Sequence, residues 1–225
     1  MNQYLVATTK RWNYEAYKQH VAKLKGEWTL VGSVQELNDA LTRIKPRYIF
    51  FPHWSWIVPY EIITKYECVC FHMTDLPYGR GGSPLQNLIV RGHDQTQLVA
   101  LKMIEELDAG PIYMKAQLSL DGSAQEIYER AADKIYQLIK YIVENEPAPV
   151  DQSGDPVMFT RRTPKQSVLP KDGDLKTIYD HIRMLDAETY PRAFLEYGDY
   201  VIIFSSASLN NGALEAKVEI KKREE

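Results

Sequence analysis

Four consecutive large apolar residues, Tyr48-Ile49-Phe50-Phe51, follow Pro46 with no charged or amide position among them. A strand with one face in water alternates apolar and polar residues, so an unbroken run this short fits a strand buried on both faces. Strands of that kind belong to parallel sheets covered by helices on both sides. The neighbouring sequence supplies the helices and strands such a sheet needs. Residues 4–8 read as a first strand. Tyr14, Tyr17, Val21 and Leu24 then recur at helical spacing over 13–25, and Gly26 stops that helix. Residues 28–31 are strand-like. Ser33 opens a capping box with Glu36, followed by Val34, Leu37, Leu41 and Ile44 on one helical face. A short helix over 60–66 follows Pro59, and residues 68–71 form another buried strand.

This β-α-β-α-β-α-β order predicts an α/β fold of the Rossmann-like kind, with a central, mostly parallel mixed sheet flanked by helices. In such sheets ligands bind beyond the carboxyl ends of the strands. Residues 52–56 and 72–82 are therefore expected at the ligand edge. A further strand over 97–103 is expected to run antiparallel. A second capping box, Ser123 with Glu126, opens a long helix to about Asn145, striped by Ile127, Ala131, Ile135, Leu138 and Ile142. The core domain is assigned to residues 1–150. Residues 151–225 form a loop-rich C-terminal extension packed on it. Within that extension Asp174 caps a helix aligning Leu175, Ile178, Ile182 and Leu185. Strands 200–206 and 214–220 meet at Asn210-Asn211-Gly212 as a hairpin, which reads as a dimer or substrate-docking element or as an exposed flap.

The chain has 225 residues, 44% hydrophobic and 25% charged, with a net charge of −3. An acidic balance argues against broad nucleic-acid binding, and no nucleic-acid partner is expected. No apolar run approaches the ~20 residues needed to span a bilayer, and residues 1–12 lack a signal-peptide core. The only two cysteines, Cys68 and Cys70, are too close for a useful staple. Together these features predict a cytoplasmic protein without membrane partners. Cys68, Cys70 and His72 share one strand with no second ligand pair, so no metal is expected. The 15 Tyr and 4 Trp against 6 Phe mark an excess of aromatics with polar tips.

No Walker A and no GxGxxG occurs, which weakens a nucleotide-cofactor reading. The one glycine cluster, Gly79-Arg80-Gly81-Gly82 before Ser83-Pro84, fits a tight turn ahead of a helix. It also fits an anion site made by Arg80 and that helix's N-terminus. His72 follows a buried strand, and Asp108 lies in the loop Leu107-Asp108-Ala109-Gly110-Pro111, which also reads as a simple turn. From the residues alone the chain is an α/β enzyme with a His/Asp pair suited to proton transfer and oxyanion stabilisation.

The motifs resemble the formyltransferase family that uses N10-formyltetrahydrofolate. Its hallmark N-x-H-x-S-x-L-P, then x-x-R-G, stands here as Cys70-Phe71-His72-Met73-Thr74-Asp75-Leu76-Pro77, then Tyr78-Gly79-Arg80-Gly81. Its second hallmark, L/V-D-x-G, is Leu107-Asp108-Ala109-Gly110. Ile57-Val58-Pro59 is similar to the loop that lines the folate pterin. The resemblance implies a formyltransferase fold with N10-formyltetrahydrofolate as co-substrate. It gives His72 and Asp108 catalytic roles: His72 stabilises the oxyanion or shuttles a proton, and Asp108 assists deprotonation of the amine. The cofactor set is Trp54, Trp56, Ile57, Val58, Met73, Leu76, Leu107 and Asp108. The substrate set is Thr74, Tyr78, Arg80, Gly81, Gly82, Arg161 and Arg162. One departure stands out. Cys70 occupies the place of the family asparagine, and a thiol is a weak donor. His53, Ser55 or a main-chain N–H then has to substitute, unless the chain binds ligands without turnover.

The late segments Arg161-Arg162-Thr163-Pro164, Ile182-Arg183-Met184-Leu185-Asp186 and Tyr190-Pro191-Arg192-Ala193-Phe194 resemble the sugar-modifying branch. Only about 20 residues follow Ser206, which reads as too few for the extra C-terminal domain of the tRNA enzymes. The expected acceptor is therefore a nucleotide-linked amino sugar, a UDP-4-amino-4,6-dideoxy-N-acetylhexosamine of the pseudaminic-acid type. The alternative acceptor is glycinamide ribonucleotide. A homodimer is compatible with the sugar branch and the hairpin.

Overall fold

The computed structural model describes residues 1–188 and 190–223. The chain divides into two compact units that interleave along the sequence. The first comprises Met1–Gly81, Gln97–Leu118 and Glu129–Met158; the second comprises Gly82–Thr96, Ser119–Tyr128 and Phe159–Glu225.

The first unit is built on β1 (Gln3–Ala7), α1 (Arg11–His20), β2 (Glu27–Val31), α2 (Val34–Arg43), β3 (Tyr48–Phe51), α3 (Tyr60–Lys65) and β4 (Cys68–His72). These are followed by the short β5 (Tyr78–Gly81) and, after α4 (Pro84–Val90), by β6 (Gln95–Lys102) and β7 (Ile112–Ser119). Six of the strands form one sheet in the order β2-β1-β3-β4-β6-β7. β1 pairs in parallel with β2 and β3, β3 in parallel with β4, and β4 antiparallel with β6. The mixed α/β sheet inferred from residues 48–51 is thus present, and all four residues of β3 are buried. Leu5, Ala7, Val31, Leu37, Ile49, Phe51 and Cys68 pack into its core.

Local sequence accounts for most boundaries. Ser33 Oγ accepts the Glu36 N–H at 3.1 Å at the start of α2. The return bond of that capping box shifts by one residue: Glu36 Oε2 accepts from Gly32 N–H at 2.6 Å rather than from Ser33. The box at α5 (Ala124–Asn145) closes fully, with Ser123 N–H on Glu126 Oε2 at 2.7 Å and Glu126 N–H on Ser123 Oγ at 3.3 Å. The predicted helix over 13–25 is shorter, because α1 ends at His20 and a 3-10 turn, Val21–Lys23, completes it.

The second unit carries α4, α6 (Leu175–Arg183) and a three-stranded sheet of β9 (Phe194–Tyr197), β10 (Tyr200–Asn210) and β11 (Ala213–Lys222). The predicted hairpin is β10–β11, turning at Asn211 and Gly212, both with positive φ as a type I′ turn requires. β9 extends it by a strand not expected from the sequence. Ser83 precedes α4 but does not cap it. Its backbone is left-handed (φ 51) and its hydroxyl accepts the Arg162 N–H at 3.1 Å instead. Leu185 lies beyond the end of α6, and Leu175 is exposed, so the stripe of that helix is shorter than its spacing implied. A last strand, β8 (Val157–Phe159), pairs with β5. Among the described residues no helix is long and apolar enough to cross a membrane.

Candidate active site

His72 is the last residue of β4, paired with Val99 of β6, so its ring leaves the sheet at the carboxyl ends of the parallel strands. β5 returns past it. The Nε2–H of His72 donates to Gly79 O at 2.8 Å, and Thr74 Oγ1 donates to the same carbonyl at 3.3 Å. A carbonyl only accepts, so Nε2 carries a hydrogen and donates it here. Nδ1 faces Asp108 Oδ2 at 3.5 Å, with the two side chains only 8% and 12% exposed. The same carboxylate oxygen accepts from Gly81 N–H at 3.0 Å. Residues separated by 36 positions thus meet in one buried acid–base pair.

Asp108 itself stands in the left-handed region (φ 54), which Asp tolerates better than most side chains. The turn that holds it is clamped from two sides. Gln152 Nε2 donates to Asp108 O and to Gly110 O, each at 2.8 Å. Gly110 is packed so closely on the Lys102 carbonyl that any Cβ would overlap it. Arg80 Nε and Nη2 donate to Gln152 Oε1 at 3.1 and 2.9 Å, and its Nη1 pairs with Glu106 at 3.0 Å. The guanidinium read as an anion site is therefore engaged by side chains of this chain.

The apolar residues assigned to a cofactor fall into two groups. Val58, Met73 and Leu76 are buried, while Ile57 (96% exposed), Leu107 (66%) and Trp56 offer apolar surface to solvent. Trp54 stacks edge-on against Trp56, with ring centroids 4.9 Å apart. A separate cavity of about 530 Å³ opens between Tyr60, Ile63 and Thr64 of α3 and residues 102–106. Its mixed apolar and polar lining suits a flat heteroaromatic ligand. Thr74 is fully buried, and Tyr78 and Gly81 belong to β5. Gly82, Arg161 and Arg162 belong to the second unit. There the backbone of Arg161 lies against Gly82 with no room for a Cβ.

The thiol at the place of the family asparagine is held in its protonated form by its surroundings. Burial pushes the Cys70 thiol well up, and the Asp108 charge adds to it. Burial likewise pushes Cys68 up to about 12, with a further push from Glu67. Next to this strand end, His53 has a left-handed backbone (φ 49), and its Nδ1 meets Asn13 Nδ2 at 2.9 Å. Burial, with Lys10 nearby, lowers its pKa to about 4 and keeps it neutral. Neither Gln152 nor Asn13 was singled out from the sequence, since each sits in a stretch with no motif. Among the described residues no three His, Cys, Asp or Glu side chains gather to hold a metal.

A mixed α/β sheet thus carries a buried His/Asp pair at the carboxyl ends of its parallel strands. The chain belongs to the formyl transferase family, whose model matches residues 10–142. A second model, the methionyl-tRNA formyltransferase C-terminal domain, matches residues 164–221. A solved structure of methionyl-tRNA formyltransferase from Clostridium thermocellum is 45% identical, with a TM-score of 0.95, covering 99% of this chain and 100% of that one. A curated methionyl-tRNA formyltransferase from a Sulfurihydrogenibium species is 26% identical over 196 residues, covering 82% of this chain. This chain spans 61% of that relative's length and 56% and 54% of the next two curated relatives. A sugar N-formyltransferase from a Shewanella species shares the fold at 15% identity, with a TM-score of 0.68 and 96% of each chain covered.

These relatives correct two expectations. The nucleotide-sugar acceptor, and with it the exclusion of nucleic acid, is overturned by the methionyl-tRNA formyltransferases at 45% and 26% identity. The late segments read as a sugar-branch signature fall largely within the stretch that matches the C-terminal domain model. That domain match begins at residue 164, well before the hairpin, so counting residues after Ser206 underestimated it. A whole-chain charge of −3 averages over local surfaces and does not by itself exclude a nucleic-acid partner. The family uses N10-formyltetrahydrofolate as formyl donor.

Proposed function

We propose that this chain transfers the formyl group of N10-formyltetrahydrofolate to the α-amine of methionyl-tRNA. The observation that carries the reading is the buried pair of His72 and Asp108, 3.5 Å apart and fixed from both sides by β5. The acceptor rests on the match of residues 164–221 and on the 45% identical solved relative.

The chemistry needs a proton acceptor beside the attacking amine. A neutral amine attacks the formyl carbon, a C–N bond forms, and the formyl oxygen gains charge. The amine then carries a surplus proton. The buried His72–Asp108 pair takes that proton and shares it between Nδ1 and Oδ2. Expulsion of the folate nitrogen breaks the donor's C–N10 bond, and the proton passes to that nitrogen. Cys70 stays protonated and does not act as a nucleophile. The exposed apolar group of Trp56, Ile57 and Leu107 supports binding of the folate's flat ring beside the pair.

Incubating the purified protein with N10-formyltetrahydrofolate and methionyl-tRNA, and analysing the deacylated product by mass spectrometry, tests this reading. Formylmethionine is the expected product. Free methionine left unmodified beside it would confine the acceptor to the charged tRNA.

A further inference from the structure

We infer that Gln152 is a positioning residue for the reaction: its amide sets the Asp108 carboxylate against His72, and Arg80 fixes the amide. The inference rests on the proposed formyl transfer, and it adds residues outside the two motifs that suggested that reaction.

The turn carrying Asp108 presents two main-chain carbonyls, Asp108 O and Gly110 O, and one nitrogen, Gln152 Nε2, donates to both at 2.8 Å. An amide nitrogen has two hydrogens, so both are used. The other end, Gln152 Oε1, accepts from Arg80 Nε and Nη2. Every hydrogen-bonding valence of the side chain is engaged, with donors on one side and acceptors on the other. Only a primary amide offers that combination at this length. A glutamate would keep the Arg80 contact and lose both donors; a methionine would keep the volume and lose everything polar.

Three consecutive residues of β5 tie this clamp to the acid–base pair. Gly79 O takes the His72 Nε2–H, Arg80 holds Gln152, and Gly81 N–H takes Asp108 Oδ2. The ring, the carboxylate and the main chain of the carboxylate's own turn are all referenced to one short strand. A left-handed Asp in a glycine-containing turn has alternatives close in energy, so the clamp selects the one conformation that points Oδ2 at Nδ1.

The test compares Gln152→Ala, Gln152→Met and Gln152→Glu with wild type in steady-state formylation. Each lowers kcat by about 10- to 100-fold, the cost typical of misplacing a catalytic group by an ångström. Combining Gln152→Met with Asp108→Asn slows the reaction no further than Asp108→Asn alone, because both act through one carboxylate. A second readout does not depend on turnover. Hydrogen exchange at the Gly81 amide, the donor to Asp108 Oδ2, speeds up in all three variants. If wild type fails to formylate methionyl-tRNA, the proposed reaction falls, while Gly81 exchange still decides the positioning role. Wild-type Gly81 protection in Gln152→Met, additive losses in the double variant, or a Gln152→Glu variant with wild-type kcat would each overturn the inference.

Discussion

The carbonyl of Gly79 accepts the Nε2–H of His72 at 2.8 Å, and this one bond fixes the face that the ring turns to Asp108. With Nε2 committed, Nδ1 is left facing the Asp108 carboxylate. The pair can therefore receive a proton without any rearrangement of the ring. The carboxylate brings a negative charge next to the ring.

Asp108→Asn keeps the size of the side chain and an acceptor for Gly81 N–H, but removes that charge. We expect the fold to survive and kcat to fall by about 10²- to 10⁴-fold, the range for loss of a general acid–base partner. Circular dichroism alongside formylation kinetics separates the two effects.

Gly110→Ala tests the packing that closes the Asp108 turn. A Cβ at this position overlaps the Lys102 carbonyl oxygen, which is main chain and cannot swing away. The substitution should cost about 1–3 kcal/mol, as for overpacking elsewhere. It should also reduce kcat, since the same turn carries Asp108. Urea unfolding gives the first number and the formylation assay the second.

His53 links the strand-end cluster to acid stability. Its folded pKa is lowered to about 4 from the usual 6.5, so it is neutral in the fold and protonates more readily once unfolded. The unfolded chain then binds more protons between about pH 6.5 and 4, and stability falls as pH drops through that window. The slope is at most about 1.4 kcal/mol per pH unit for one proton. His53→Gln should flatten the dependence of unfolding free energy on pH between 4 and 7, measured by urea titration.

Both thiols should resist alkylation in the native protein. Burial holds Cys68 and Cys70 in the thiol form, and thiolate is the reactive species. Iodoacetamide at neutral pH is expected to leave the folded protein unlabelled and to label both residues in denaturant, as read by mass spectrometry. Rapid native labelling of Cys70 would mean that the strand beside His72 opens readily.

Much of the fold could be read locally. The apolar run of β3, the caps at Ser33 and Ser123 and the Asn-Gly turn of the last hairpin each carry their cause within a few residues. His72 and Asp108 were also legible, as a strand-end histidine and an acid in a glycine loop. What escaped was long-range. Arg80 looked like a free cation above a helix end, but its partner Gln152 lies 72 residues away in a loop with no periodicity. β5 is half glycine and shows no alternation, so nothing in it announces a strand, and β9 became visible only through its pairing with β10. Net charge and residue counts do not identify the acceptor for a related reason, because they say little about which surface meets a partner.

The most direct measurement of the central claim is single-turnover formation of formylmethionyl-tRNA with enzyme in excess, for wild type and for Asp108→Asn. The account predicts a burst of formylated product with wild type and a rate lower by about two orders of magnitude or more with the variant. Equal rates for the two proteins, or no formylated methionyl-tRNA with wild type under conditions where it binds the folate, would contradict it.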